Sequence, residues 1–434
     1  MKIRVNALKW LVAGLAALLL QPVPASGQAR KTKGGEQARA CPAEMDAIAN
    51  CYAGQDANGA FYLIAMPKDW TRILVVHAHG GPRLGQPKAD DSDEDLERFH
   101  VMVRQGYAWI GSTYRRGGYG VRMAAADVEN SRAIFWQRFG RPRLTILHGQ
   151  SYGGNVAAKL AELGATDAEG NRLFDGVMLT NAVLWGGTKA YGFRSDLRAV
   201  YQYYCRNHPR PDEQQYPIWQ GLPQNGAMTR RELEVRVNDC TGLDLPGHKR
   251  TAQQSSRLKS ISGVTGIAES QILRHLEWAT FHFRDLVHYR LDGRNPFNNR
   301  EAVYRGSGDD DALNKGVERF YADPQAVAKL AYDSDLTGLI ILPTIALHWQ
   351  DDPTVSAEAD KFYEGKVAAN ARADRFLRLV SGEGTHGKLP DADLLTALNA
   401  LAGWADSSGK PDQAAVRNIC AAQARLSKGQ CTIR

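Results

Sequence analysis

Short apolar runs punctuate the chain: Ile73 to Val76, Leu144 to Leu147, Val177 to Asn181, Pro343 to His348 and Phe376 to Val380. Each is brief, bounded by turn residues and without polar alternation, the pattern of a buried strand. Tyr107 to Gly111 reads as one more. Between them the period lengthens. Leu96, Phe99 and Val103 recur at helical spacing behind Ser92-Asp93-Glu94-Asp95, predicting a capped helix that ends at Gly106. Ala124 to Phe139 predicts a helix closed by Gly140 and Pro142. Asp393 to Trp404 predicts a late one, stopped by the run from Ser407 to Pro411.

The alternation of strand and helix ceases from Leu184 to Ser334, a block of about 150 residues rich in aromatics such as Tyr191, Phe193, Trp219, Trp278, Phe281 and Phe283. Stripes of this kind are more often packing than ligand contacts, although some must line any cleft the block covers. The acidic run Asp309 to Asp311 lacks the glycine and closing glutamate of a calcium loop and reads as a solvated turn or helix start.

The run from Leu144 to Gly154 carries the chemistry. Its apolar start breaks into Gly149-Gln150-Ser151-Tyr152-Gly153, then into a helical pattern with Ala157, Ala158, Leu160 and Ala161. A strand, a sharp turn and a helix with a serine at the apex hold the Ser151 hydroxyl where a base and a substrate carbonyl can both reach it. Glycines two residues to either side leave room where the chain doubles back. Ser151 is the only serine in this spacing, yet 42 glycines in 434 residues make a chance match easy, so an idle serine in a glycine-rich turn is the plain alternative.

Upstream, Ile73 to Val76 runs into His77-Ala78-His79-Gly80-Gly81-Pro82. A nucleophilic serine needs N–H donors for the oxygen that gains charge, worth a few kcal/mol each, and the expected pair is the N–H groups of Tyr152 and Gly81. A structural strand-to-loop turn is the alternative there. Downstream, Pro343 to His348 leads into Trp349-Gln350-Asp351-Asp352-Pro353. Asp352 precedes a proline, which favours an extended turn, and it is the expected acid with Asp351 as its rival. His386 lies 34 residues further on in the glycine-rich run Ser381 to Gly387 and is the only histidine beyond His348. It is the expected general base.

Serine, aspartate and histidine in that order, each after a strand, with His79-Gly80-Gly81 before them, resemble the α/β-hydrolase family over roughly Phe61 to Val183 and Asp335 to Trp404. The resemblance implies an α/β fold with a mostly parallel, eight-stranded sheet between helices. It also implies that the block at 184–334 is a largely helical cap inserted over the site. Core segments at 28–183 and 335–434 flank that insertion. Met66-Pro67-Lys68-Asp69-Trp70 ahead of the His-Gly-Gly turn resembles secreted bacterial members. Ser151-Tyr152-Gly153-Gly154 is a spelling found in peptidase and esterase branches alike.

The remaining features fit an exported hydrolase. Lys2, Arg4 and Lys9 precede an apolar run from Trp10 to Leu20 and small residues to Gly27, which predicts a signal peptide at 1–27 cleaved near Gly27-Gln28, with an uncleaved anchor as the alternative. Six cysteines fall into sequence-neighbouring couples, 41–51, 205–240 and 420–431, and six allow 15 pairings; the neighbour pairing closes the least chain. None has zinc spacing. The net charge of +7 is scattered, which argues for a soluble basic surface and against a nucleic-acid partner.

The sequence thus predicts a secreted or periplasmic serine hydrolase that needs no cofactor or metal and takes a small-molecule ester. A short peptide, cleaved by an aminopeptidase-like enzyme, is the alternative substrate. That alternative requires a cap carboxylate for the ammonium, with Glu269, Glu277 and Asp285 as candidates. A non-catalytic binding protein of the same fold is the third reading.

Overall fold

The apolar runs become the middle of one sheet in the computed structural model, which describes residues 35–42 and 45–434. Its strands are β1 (Gln37–Arg39), β2 (Ala49–Gln55), β3 (Phe61–Pro67), β4 (Ile73–Ala78), β5 (Ala108–Ser112), β6 (Leu144–Gln150), β7 (Gly176–Thr180), β8 (Thr344–Trp349) and β9 (Phe376–Ser381). They lie in the order β1-β2-β3-β5-β4-β6-β7-β8-β9. Pairings from β1 through β3 to β5 are antiparallel, and every pairing from β5 to β9 is parallel. The sheet therefore has nine strands where eight are expected. The addition is β1, three exposed residues on the free edge of β2. A polar triplet has no period to read.

Thirteen α-helices complete the described residues: α1 (Asp93–Arg104), α2 (Val121–Phe139), α3 (Tyr152–Leu163), α4 (Gly186–Cys205), α5 (Arg230–Thr241), α6 (Ala252–Thr265), α7 (Ile272–Glu277), α8 (Phe283–Arg290), α9 (Asp310–Gly316), α10 (Pro324–Ser334), α11 (Glu358–Ala369), α12 (Asp391–Gly403) and α13 (Gln413–Ser427). A π-helical turn, Trp278–His282, joins α7 to α8. Successive β4 residues feed opposite faces, Leu74 and Val76 one core, Ile73 and Val75 the other. The first core packs α2, α3 and α11 with the block of α4 to α10. The second packs α1, α12 and α13.

Two helix starts differ from the sequence pattern for a tertiary reason. Ser92 stands before α1, but its hydroxyl makes no cap bond, and Asp95 turns inward to His79. Helix α2 begins at Val121, before the predicted Ala124. Asp333 at the end of α10 accepts from the N–H groups of Val121 and Arg122 at 2.9 and 3.1 Å, a cap delivered from a distant segment. The Asp309 expectation holds, because its carboxylate accepts from Ala312 N at 2.9 Å and starts α9.

The neighbour pairing of cysteines is the observed one: Cys41–Cys51, Cys205–Cys240 and Cys420–Cys431. The second ties the end of α4 to α5 across 35 residues, which loop-closure entropy values at about 4 kcal/mol, against about 3 for the shorter loops. The expected signal segment at 1–27 lies outside the described residues. Among those described, no helix is long and apolar enough to cross a membrane.

Candidate active site

Ser151 occupies the turn from β6 into α3 at φ 56° and ψ −119°, a conformation a β-carbon disfavours. Contacts on every side hold it there. Its N–H donates to Thr180 O at 3.0 Å, and its carbonyl accepts from Gly154 N and Val183 N, each at 3.0 Å. A Cβ on Gly149 would strike the Gly153 carbonyl, and one on Gly153 would strike the carbonyls of Ala78 and His79. The second contact sets the end of β4, and so the His-Gly-Gly turn, against the serine. Gly81 takes φ 74° in that turn. Tyr152 is the first residue of α3, whose opening N–H groups have no partner within the helix.

The three expected side chains meet. His386 Nε2 lies 2.8 Å from Ser151 Oγ, and His386 Nδ1 lies 2.7 Å from Asp352 Oδ2. The rival Asp351 is exposed, and among the described residues its carboxylate contacts only the Gln350 amide, at 3.0 Å. Asp352 is buried, and its Oδ1 accepts from Thr354 N at 2.8 Å and Val355 N at 3.2 Å. Burial alone would favour the neutral acid. Hydrogen bonds from His348 and His386 outweigh it and hold the carboxyl well below the usual carboxylate range.

Four supporting residues carry no signal in the sequence. Gln150, the residue before the serine, donates to His386 O at 2.7 Å, and Asn181 donates to the same carbonyl at 3.0 Å. Asn181 Oδ1 also accepts from Trp349 N at 2.8 Å, so one amide joins the loops that carry Asp352 and His386. Behind the acid lies His348, its Nδ1 2.9 Å from Asp360 Oδ1 and its Nε2 2.9 Å from Val355 O and 3.5 Å from Asp352 Oδ2. Both ring nitrogens face acceptors, which suits the doubly protonated ring. Burial opposes that charge, but Asp360 and Asp352 overcome it and the pKa is pushed up to about 10.

A second carboxylate with histidines sits beneath the His-Gly-Gly turn. Buried Asp95 contacts His79 Nδ1, with His77 Nε2 at 3.8 Å. His77 Nδ1 lies 2.9 Å from His148 Nδ1, and His148 Nε2 lies 3.1 Å from Thr180 Oγ1. Burial holds both His77 and His148 below the ordinary histidine value, with His79 and Arg98 adding to it at His77 and His77 adding to it at His148. Among the described residues, no group of histidine, cysteine, aspartate and glutamate is arranged to hold a metal.

No protein-family model matches the chain. An S-adenosylmethionine:tRNA ribosyltransferase-isomerase from Xanthobacter autotrophicus is 33% identical over 112 residues, covering 24% of this chain and 30% of that protein. The chain thus spans under a third of that relative's length. Similar solved structures include feruloyl esterase B from Aspergillus oryzae, 14% identical with 87% of each chain covered and a TM-score of 0.43. Candida antarctica lipase A is 12% identical over 94% of each chain, with a TM-score of 0.46. The rice cell wall degrading esterase LipA from Xanthomonas oryzae is 13% identical over 88% of this chain and 98% of that one, with a TM-score of 0.42. These are distant likenesses, and the strand arrangement speaks for itself. With β1 set aside, a parallel sheet, one antiparallel strand between its neighbours and a serine turn after the central strand make this the α/β-hydrolase fold.

Proposed function

We propose that the chain is a serine hydrolase of carboxylic esters that works through an acyl-enzyme on Ser151. The observation that carries this is the continuous contact from Ser151 Oγ to His386 to Asp352, at 2.8 and 2.7 Å. In this reading Ser151 Oγ attacks the ester carbonyl carbon as its proton passes to His386 Nε2. The N–H groups of Tyr152 and Gly81 hold the oxyanion. The imidazolium returns the proton to the leaving alkoxide, the C–O bond breaks, and the acyl group stays on Ser151. His386 then takes a proton from water as its oxygen attacks the acyl carbon; the bond to Ser151 Oγ breaks, the imidazolium returns the proton to Oγ, and the acid leaves. Asp352 fixes the ring and stabilises its charged form. The helices of 184–334 act as the cap in this scheme, between core segments 28–183 and 335–434.

Three disulfides support an oxidising, extracytoplasmic setting. The aminopeptidase alternative loses two of its three candidate carboxylates to arginines: Glu269 pairs with Arg250 at 3.0 Å and Asp285 with Arg290 at 3.1 Å. A fluorophosphonate probe should label the purified protein and fail to label Ser151→Ala. p-Nitrophenyl butyrate should be cleaved faster than leucine p-nitroanilide. Rapid anilide cleavage, lost on acetylating the amine, would sink the esterase reading.

A further inference from the structure

The helical block contains a pocket that the reaction above does not use. It is about 270 Å³ in volume, lined by Arg230, Arg274, Glu277, Trp278, Phe281 and His282. Several arginines of the block are matched with acids, among them Arg236 with Glu213, Arg250 with Glu269 and Arg290 with Asp285. Arg230 and Arg274 have no carboxylate partner among the described residues, and both are exposed. Behind the aromatic wall stands a third such cation. Arg194 is 5% exposed, its guanidinium lies 4.7 Å from the Trp278 ring and 4.4 Å from that of Phe193, and its partners are neutral: His275 Nδ1 at 3.2 Å and the Ala190 carbonyl. Three arginines against one glutamate leave a positive field where a low-dielectric wall concentrates it.

The wall itself is irregular. Trp278 and His282 begin and end the π-helical turn and stack at 4.3 Å. Such turns recur at functional sites because the extra residue re-aims side chains. His282 is buried on the pocket wall, and its Nδ1 has no hydrogen-bond partner among the described residues. Burial, then Arg194 and Arg230, push its pKa down to about 3, so the neutral ring can turn an Nδ1–H toward an incoming acceptor. The helix that carries Arg274 also runs beside the loop of the candidate acid. His275, next to Arg274 along α7, lies against the backbone of Pro353, the residue after Asp352.

We propose that this pocket recognises a carboxylate carried by the substrate at a distance from the scissile ester, with Arg274 and Arg230 as its charged partners, His282 as a neutral donor and Trp278 and Phe281 holding the apolar stem. The proposal rests on the ester-hydrolase reading for its place in turnover, while binding can be tested without it. An arginine fork matches a planar carboxylate, and the aromatic wall suits a carbon skeleton behind it.

Two measurements decide the matter. The first compares kcat/KM for mono-p-nitrophenyl glutarate, which bears a free carboxylate, with that for its methyl ester. The acidic substrate should be preferred by at least tenfold. The ratio should fall to about one in Arg230→Gln/Arg274→Gln and rise in Glu277→Gln, with the change in KM. A fold defect lowers both rates and leaves the ratio standing. The second titrates benzoate against the inactive Ser151→Ala variant by tryptophan fluorescence. Saturable binding should weaken at least fivefold when both arginines are replaced. If no ester is cleaved and yet benzoate binds in this arginine-dependent way, the hydrolase reading fails and the pocket stands. An unchanged ester ratio in the double variant, benzoate binding indifferent to the arginines, or displacement of benzoate by sulfate at equal strength would overturn the pocket.

Discussion

Two carboxylates in this molecule each face a pair of histidines, and their surroundings separate them. Asp95 meets His79 and His77 at the end of β4; Asp352 meets His386 and His348 at the end of β8. Both acids are buried and held in the charged form. The difference lies one residue further out. His386 is partly open and its far nitrogen ends on Ser151 Oγ. The histidines of Asp95 are fully enclosed, and their chain ends on His148 and the Thr180 hydroxyl. A carboxylate–histidine contact is therefore a means of holding a ring; what the ring can reach decides whether it does chemistry. Asp95 fastens α1 to the His-Gly-Gly turn, and Asp352 holds the ring that reaches Ser151.

Exchanging one oxygen for nitrogen in each acid probes that distinction most sharply. Asp352→Asn should cost about 10⁴-fold in kcat, the loss expected when the base is left in the wrong tautomer, while Tm stays near wild type. Ser151→Ala should match it. Asp95→Asn should do the opposite, retaining measurable turnover but losing about 3 kcal/mol of stability, because it removes the charged partner from buried histidines. If Asp95→Asn kills turnover with Tm intact, the two clusters are not different in kind.

His348 gives a subtler test. His348→Gln should lower kcat roughly tenfold by withdrawing positive charge from Asp352, with the larger signature in the pH dependence of stability. The folded pKa of about 10 stands above the ordinary value near 6.5, so His348 contributes stability fully below that value and loses it as pH rises toward 10. Tm measured from pH 6 to pH 11 should fall on the alkaline side in wild type, and fall less in the variant. The Asp352 contribution runs the other way, present above the usual carboxylate range and lost as pH drops through its depressed value. The smallest effect belongs to the rival acid: Asp351→Asn should stay within about twofold of wild-type kcat, since its carboxylate touches only Gln350.

What was legible in the sequence was what local pattern encodes. Continuous apolar runs marked β4, β6, β8 and β9, and the glycine spacing around Ser151 marked a turn whose close approaches admit no Cβ. The proline after Asp352 singled out the acid that reaches His386. Contacts between distant segments were not legible. Asp95 reads as a capping residue until His79 is placed beside it, and Asp360 reads as one acid on a helix until it meets His348. Asn181 gives no hint that its amide spans two loops. The arginine pocket is silent for the same reason, since Arg194, Arg230 and Arg274 are brought together only by α4, α5 and α7 folding on one another.

The order of the strands also fixes how the molecule can be held. β1 and β9 are opposite borders of the sheet, eight strand spacings or on the order of 40 Å apart. The tail lies along the β9 border: Ile433 bridges Ser381, Arg434 N donates to Val380 O at 2.9 Å, and Gly382 N donates to Thr432 O at 3.1 Å. An anchor placed beyond Arg434 would press the loop bearing His386 toward a solid support. One placed ahead of Gly35 would leave that loop facing the solution, so the choice of tether sets which border an immobilised molecule presents.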